Sequence, residues 1–82
     1  MNLHDEVKLY LDNKVTSLGY DDIISACTYA SAPNQWQEEA IRIVMWRSDV
    51  WERVFELEEL GQLPATVEAL RSDLATNVPL GF

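Results

Sequence analysis

From Asn34 to Leu60 the chain reads NQWQEEAIRIVMWRSDVWERVFELEEL, with no glycine or proline in it. Those two residues interrupt helices at the greatest cost, so the whole stretch is free to form one helix. As an α-helix it would be a rod of roughly 40 Å. That is long for a chain of 82 residues, so the other segments have to pack along it. The rod also holds all three tryptophans, Trp36, Trp46 and Trp51, the side chains with the most apolar area to bury.

Stepping about 100° per residue from Trp36 places Ala40, Ile43, Val44, Val50, Trp51, Val54 and Phe55 in one broad sector with it. Glu38, Arg42, Asp49, Glu52, Arg53, Glu56 and Glu59 fall mostly on the other side. This is the pattern of a helix lying on a core, with Trp36 and Trp51 as structural anchors. Glu38 with Arg42, and Asp49 with Arg53, have the favourable acid-before-base i,i+4 order. Gly61 suits the C′ position, and Pro64 stops continuation.

Arg47 points into the apolar sector. An unpaired buried guanidinium is very costly, which leaves two readings. Either Arg47 is structural, with a buried partner or a head that snorkels to water, or it is an anchor for another protein. Trp46 sits at the sector's edge, where it either closes the core or stays half exposed for a partner. Ile41 and Met45 lie toward the charged side and, with Trp46 or Leu60, form a candidate contact patch.

The rest of the chain reads as three shorter helices. Residues 2–18 place Leu3, Val7, Tyr10, Leu11 and Leu18 on one face, with Val15 near its edge, Asn2 as the cap and Gly19 as the stop. His4, the only histidine, is expected to be a solvated end residue rather than a base. Residues 21–31 make a second helix, with Asp21 as N-cap and Tyr20 as a hydrophobic staple to Ser25 or Ile24. Ile23, Ile24, Cys27 and Ala30 are its expected buried face. Asp21 and Asp22 are the leading candidates to pair with Arg47, and Pro33 or Asn34 opens the long helix. Residues 64–74 form a fourth helix with Val67, Leu70 and Leu74 on one line. The tail, residues 75–82, is expected to be extended. Its Val78, Leu80 and Phe82 either pack across the bundle or dock on a neighbour. The expectation is therefore an all-α, single-domain chain, a small three- to four-helix bundle organised around one long helix.

Fourteen acids against six bases give a formal charge of −8. This argues against nonspecific nucleic-acid binding and against anionic lipid, both of which need clustered Lys and Arg. A chain of this size buries only about 60% of its unfolded surface, so a homo-oligomer would add stability. Cys27 is alone and allows no intramolecular disulfide, in keeping with a reducing compartment. No charged-then-apolar start reads as a signal peptide, and no apolar run is long enough to span a bilayer, so a soluble protein made in the cytoplasm is expected. No zinc-type Cys/His spacing, phosphate loop, nucleophile elbow or calcium loop is present. Neighbouring carboxylates such as Glu58 and Glu59 point about 100° apart on a helix and do not form an acid/base pair. No catalytic residue, metal or cofactor is expected.

Three stretches carry a resemblance: GYDDIISACTYASAP at 19–33, WQEEAIRIVMWRSDVWERVFEL at 36–57 and LPATVEALRSDL at 63–74. Together they resemble small tailed-phage proteins of the tail and tail-fibre assembly module. The matching residues are Tyr20, Asp21, Ser25, Ala26, Tyr29, Ala30, Glu39, Ala40, Trp46, Arg47, Val50, Trp51, Pro64, Val67 and Glu68. Trp46-Arg47 with Trp51 is the most specific part. Ala65 stands as an insertion, and the first eighteen residues are not covered. The resemblance implies a protein that binds a phage tail or tail-fibre component, either as an assembly chaperone or as a tail subunit. It would act in the host cytoplasm during assembly and, as a subunit, in the virion. It also implies that Trp46, Arg47 and Trp51 are a structural signature of the bundle. A different reading, motivated by the charge, is an acidic phage inhibitor that covers a basic surface of a host protein. Trp46, Met45, Ile41, Leu60, Leu80 and Phe82 are the partner-binding candidates, and Arg47, Trp36, Trp51 and Asp21 the structural ones.

Overall fold

The computed structural model describes residues 3–81, and within them every regular element is helical. The helices are α1 (Leu3–Thr16), α2 (Ile23–Thr28), α3 (Gln37–Glu59) and α4 (Val67–Asn77), with a 3-10 turn at Tyr29–Ser31. Asn2, the expected cap of α1, and Phe82 lie outside the described residues. At 1.5 Å per residue α3 is about 35 Å long. It sets the long axis of a molecule measuring 41 × 19 × 19 Å. The fold is therefore an all-α bundle laid along one central rod.

Two helix ends stop where glycine permits a left-handed turn. Gly19 has φ 103° and Gly61 has φ 67°, values that cost residues with a Cβ. After α3, Gly61 N–H donates to the Glu58 carbonyl (3.1 Å) and Gln62 N–H to the Leu57 carbonyl (2.8 Å). After α1, Gly19 N–H donates to Thr16 (3.0 Å) and Tyr20 N–H to Val15 (3.1 Å). Both are paired C-terminal caps that satisfy last-turn carbonyls otherwise left without donors.

The starts differ from expectation. Asp22, not Asp21, caps α2: its Oδ1 accepts from Ser25 N–H at 2.6 Å. A second carboxylate helps, since Asp12 Oδ1 of α1 accepts from Ile23 N–H at 2.9 Å. Asp21 is left exposed. Helix α3 opens at Gln37, with Trp36 at the cap position. Asn34 shapes the turn before it, its Oδ1 accepting from Trp36 N–H (2.8 Å) and its Nδ2 donating to the carbonyls of Tyr29 (2.9 Å) and Ala32 (2.7 Å). Helix α4 begins after Thr66, whose Oγ1 accepts from Ala69 N–H at 3.1 Å, three residues later than Pro64 suggested. It runs on through residues 75–77, so only the segment after Asn77 is non-helical.

The core joins all four helices. Val7, Leu11 and Val15 of α1 meet Ile23 and Ala26 of α2, and Tyr20 fills the turn between them. Ile43, Trp46, Val50, Val54 and Leu57 of α3 and Leu70 and Leu74 of α4 complete it. Val15, expected near an edge, is fully buried.

The buried sector of α3 is rotated by roughly 50° from the one periodicity suggested. Trp46 and Leu57 turn inward, while Val44, Phe55 and Trp36 stay exposed. The rotation follows from where α4 and the segment after it lie. Trp46 Nε1 donates to the Val78 carbonyl at 2.9 Å, so the indole is buried with its polar atom satisfied. Trp51 is half buried against the core. On α2, Ile24 points outward, and Ile23 and Ala26 take the core positions.

Candidate protein-binding surface

Of the six partner-binding candidates Phe82 lies outside the described residues, and the other five do not form one patch. Trp46 is only 4% exposed, packed near the Tyr10 ring and bonded to Val78, so it is a core residue. Leu80 packs against the core, and the 78–80 segment crosses α3 beside Met45 and Trp46. Leu60 is exposed at the C-terminal cap of α3, about 22 Å along the rod from Met45. Ile41 and Met45 remain, one turn apart and both exposed.

A longer apolar line runs down the outward face of α3. Ile41, Val44, Trp51 and Phe55, with Gln37 before them and Ser48 between, follow alternating steps of four and three. That spacing keeps them on one side of a helix. Its C-terminal half is partly covered: His4 of α1 stands edge-on to Trp51 (5.5 Å) and Phe55 (5.9 Å), and those two rings stack at 5.9 Å. The His4 ring Nε2 lies 3.0 Å from a Glu58 carboxylate oxygen. His4 is thus an exposed residue of the first turn of α1, as expected, and it also links α1 to α3. The N-terminal half, Ile41, Val44 and Met45, is open.

Charged side chains complete the frame. Arg53 Nε and Nη2 donate to the two oxygens of Asp73, each at 3.0 Å, in a forked clamp between α3 and α4. Those bonds hold the Asp73 carboxyl below its ordinary range and raise the Arg53 guanidinium. Arg53 thus reaches Asp73 rather than the expected Asp49. Tyr20 donates its hydroxyl to Glu39 Oε1 at 2.9 Å. Burial, with that carboxylate beside it, pushes its phenol up to about 12. Burial also raises Tyr10. Arg71 of α4 lies 3.6 Å from Glu6 of α1.

Arg47 does not meet Asp21 or Asp22. Among the described residues its guanidinium makes no hydrogen bond or ion pair, and it lines a recess between α1, α2 and α3. Trp36, expected in the core, is 46% exposed and has a ring contact with Tyr29 at 5.6 Å. It stands at the cap of α3, beside the 3-10 turn that holds Tyr29.

Among the described residues no three His, Cys, Asp or Glu side chains gather to hold a metal ion, and no helix is long and apolar enough to cross a membrane. Sequence reasoning missed the Arg53–Asp73 clamp, the Trp46–Val78 bond and the Tyr20–Glu39 bond. Each joins residues 19 to 32 positions apart, a separation that helical periodicity does not address. Comparison with protein-family models, curated proteins and solved structures found no match.

Proposed function

We propose that this chain is a non-enzymatic protein-binding module of a tailed phage, either a tail-associated subunit or a chaperone of tail or tail-fibre assembly. One observation carries the binding role. The core closes without Ile41, Val44 and Met45, yet these three stand side by side on open helix surface. Scattered exposed apolar residues are ordinary, whereas a contiguous row on a rigid helix is a surface that a partner can cover. The phage context rests on the resemblance of residues 19–74. In this reading the protein works in the host cytoplasm during assembly and, as a subunit, remains in the virion tail.

The test is co-expression of the tagged chain with each tail and tail-fibre protein, followed by pull-down. One of them should be captured, and Ile41→Asp with Met45→Asp should abolish capture while the helical circular dichroism is kept. Capture of none of them would refute the reading. Mass spectrometry of purified particles then separates subunit from chaperone.

A second reading, an acidic inhibitor of a host protein, is favoured by a different face. Asp49, Glu52, Glu56 and Glu59 line one open depression beside α3 and the end of α4. It requires binding to a basic surface that weakens steeply with salt. Affinity that stays constant across ionic strength would exclude it.

A further inference from the structure

A recess of about 270 Å³ opens where α1 and α2 meet α3. Leu11 and Ile23, both buried, form its floor. Ile24, 56% exposed, and the half-buried Trp51 form its walls. An isoleucine that exposed beside a recess, on a short helix whose neighbours Ile23 and Ala26 are fully packed, leaves apolar surface that nothing in the bundle covers.

The charges at the mouth differ from the two arginines that tie helices together. Arg53 and Arg71 each face a carboxylate from another helix. At the recess, Lys8 of α1 and Arg47 of α3 both line the opening, and among the described residues neither makes a hydrogen bond or ion pair. His4 is turned to Glu58, and Asp5 is the one carboxylate on the rim. A chain with fourteen acids and only six Lys and Arg thus leaves two of those cations together beside bare apolar surface.

We propose that this recess binds a segment of a partner protein that presents one large apolar side chain and one carboxylate close to it. The apolar group would fill the space between Ile24 and Trp51, and the carboxylate would take charge-assisted bonds from Arg47 and Lys8. Excluding water around the pair strengthens the attraction. Asp5 on the same rim disfavours a run of acids, which is why the occupant carries a single one. Phosphate-rich ligands and a second copy of this chain fit less well, because the net charge of −8 repels both. The inference rests on reading the chain as a protein-binding module but not on the phage-tail partner. Loss of capture through Ile41 and Met45 leaves it standing, and its own failure leaves that capture untouched.

The test uses the isotope-labelled full chain and two probes, 4-phenylbutyrate and its neutral amide. By the usual ligand efficiency of small fragments, the acid should bind with Kd of about 2 mM. It should shift the backbone amides of Lys8, Leu11, Ile24 and Arg47, and the amide should bind at least fivefold more weakly. In Arg47→Gln, and independently in Lys8→Gln, the acid should fall toward the amide's affinity while the rest of the spectrum is unchanged. Equal binding of acid and amide, shifts centred elsewhere, or retained preference in both variants would overturn the proposal. So would a dimer in sedimentation with these amides at its interface, since a second copy would then fill the recess.

Discussion

Replacing Trp46 with phenylalanine probes the contact that turns α3 toward α4. The indole is 4% exposed and its N–H meets the Val78 carbonyl at 2.9 Å. Phenylalanine keeps an aromatic ring in the core but deletes the donor and the five-membered ring. A typical hydrogen bond contributes about 1 kcal/mol net. Val78 is half exposed, so water can reach its carbonyl in the variant, and the larger cost of a stranded buried acceptor does not apply. The missing ring surface, about 40 Å², is worth about 1 kcal/mol more at ~25 cal/mol per Å². The expected loss is therefore about 2 kcal/mol, against a total stability of about 4–12 kcal/mol for a chain of this size. Urea unfolding followed by far-UV circular dichroism should show a lower midpoint with an unchanged m-value. A chain ending at Asn77 lacks the acceptor, so in that background Trp46→Phe should cost about 1 kcal/mol less. A loss below about 0.5 kcal/mol, or strict additivity between the two changes, would refute the assignment of the bond as the element that orients α3.

Three further outcomes follow from the polar contacts. In an alkaline absorbance titration, Tyr20 should ionise near pH 12 instead of its ordinary 10.0, and Tyr10 also above 10.0. Folding raises the Tyr20 pKa, so the stability it contributes is complete below the ordinary value and is lost as pH rises through about 12. Tyr20→Phe should remove that alkaline step, and three phenols titrating together near 10 would contradict the buried geometry. For Asp73 the sign is reversed. Its folded pKa lies below the ordinary 3.8, so its contribution is present above that value and lost as pH falls through the folded one. Asp73→Asn should lower the urea midpoint at neutral pH and flatten its fall in acid, and parallel acid curves for variant and parent would count against the clamp. Arg47→Gln, which strands no acid among the described residues, should change stability by less than about 0.5 kcal/mol, and a drop of several kcal/mol in urea unfolding would reveal a buried partner.

The helical class and the long rod were legible because apolar steps of three and four persist from Ala40 to Leu57, and because Gly19 and Gly61 sit where left-handed caps are needed. The facing of that rod was not. A helical wheel defines the width of an apolar arc, whereas the neighbours decide its centre. Val44, Phe55, Trp46 and Leu57 all lie near the boundary, and α4 with Val78 tipped the arc toward the last two. Asp21 and Asp22 were equivalent as letters, and backbone direction at the turn chose Asp22. The expected partner of Arg47 failed for a similar reason. Asp22 was already committed to Ser25 N–H and Asp21 remained at the surface. The candidate surface was half legible. Ile41 and Met45 are open as expected, but the recess joins α1, α2 and α3 residues that no single helical pattern connects.

The three tryptophans occupy three different settings. Trp36 leans on Tyr29 in contact with solvent, Trp51 is sandwiched near His4 and Phe55, and Trp46 is sealed inside with its N–H engaged. The chain thus carries its own optical gauges. Quencher in the surrounding buffer should dim the first readily and the last hardly at all. Single-tryptophan versions would then let fluorescence follow the entry turn, the outward face and the interior separately during unfolding or when a partner arrives.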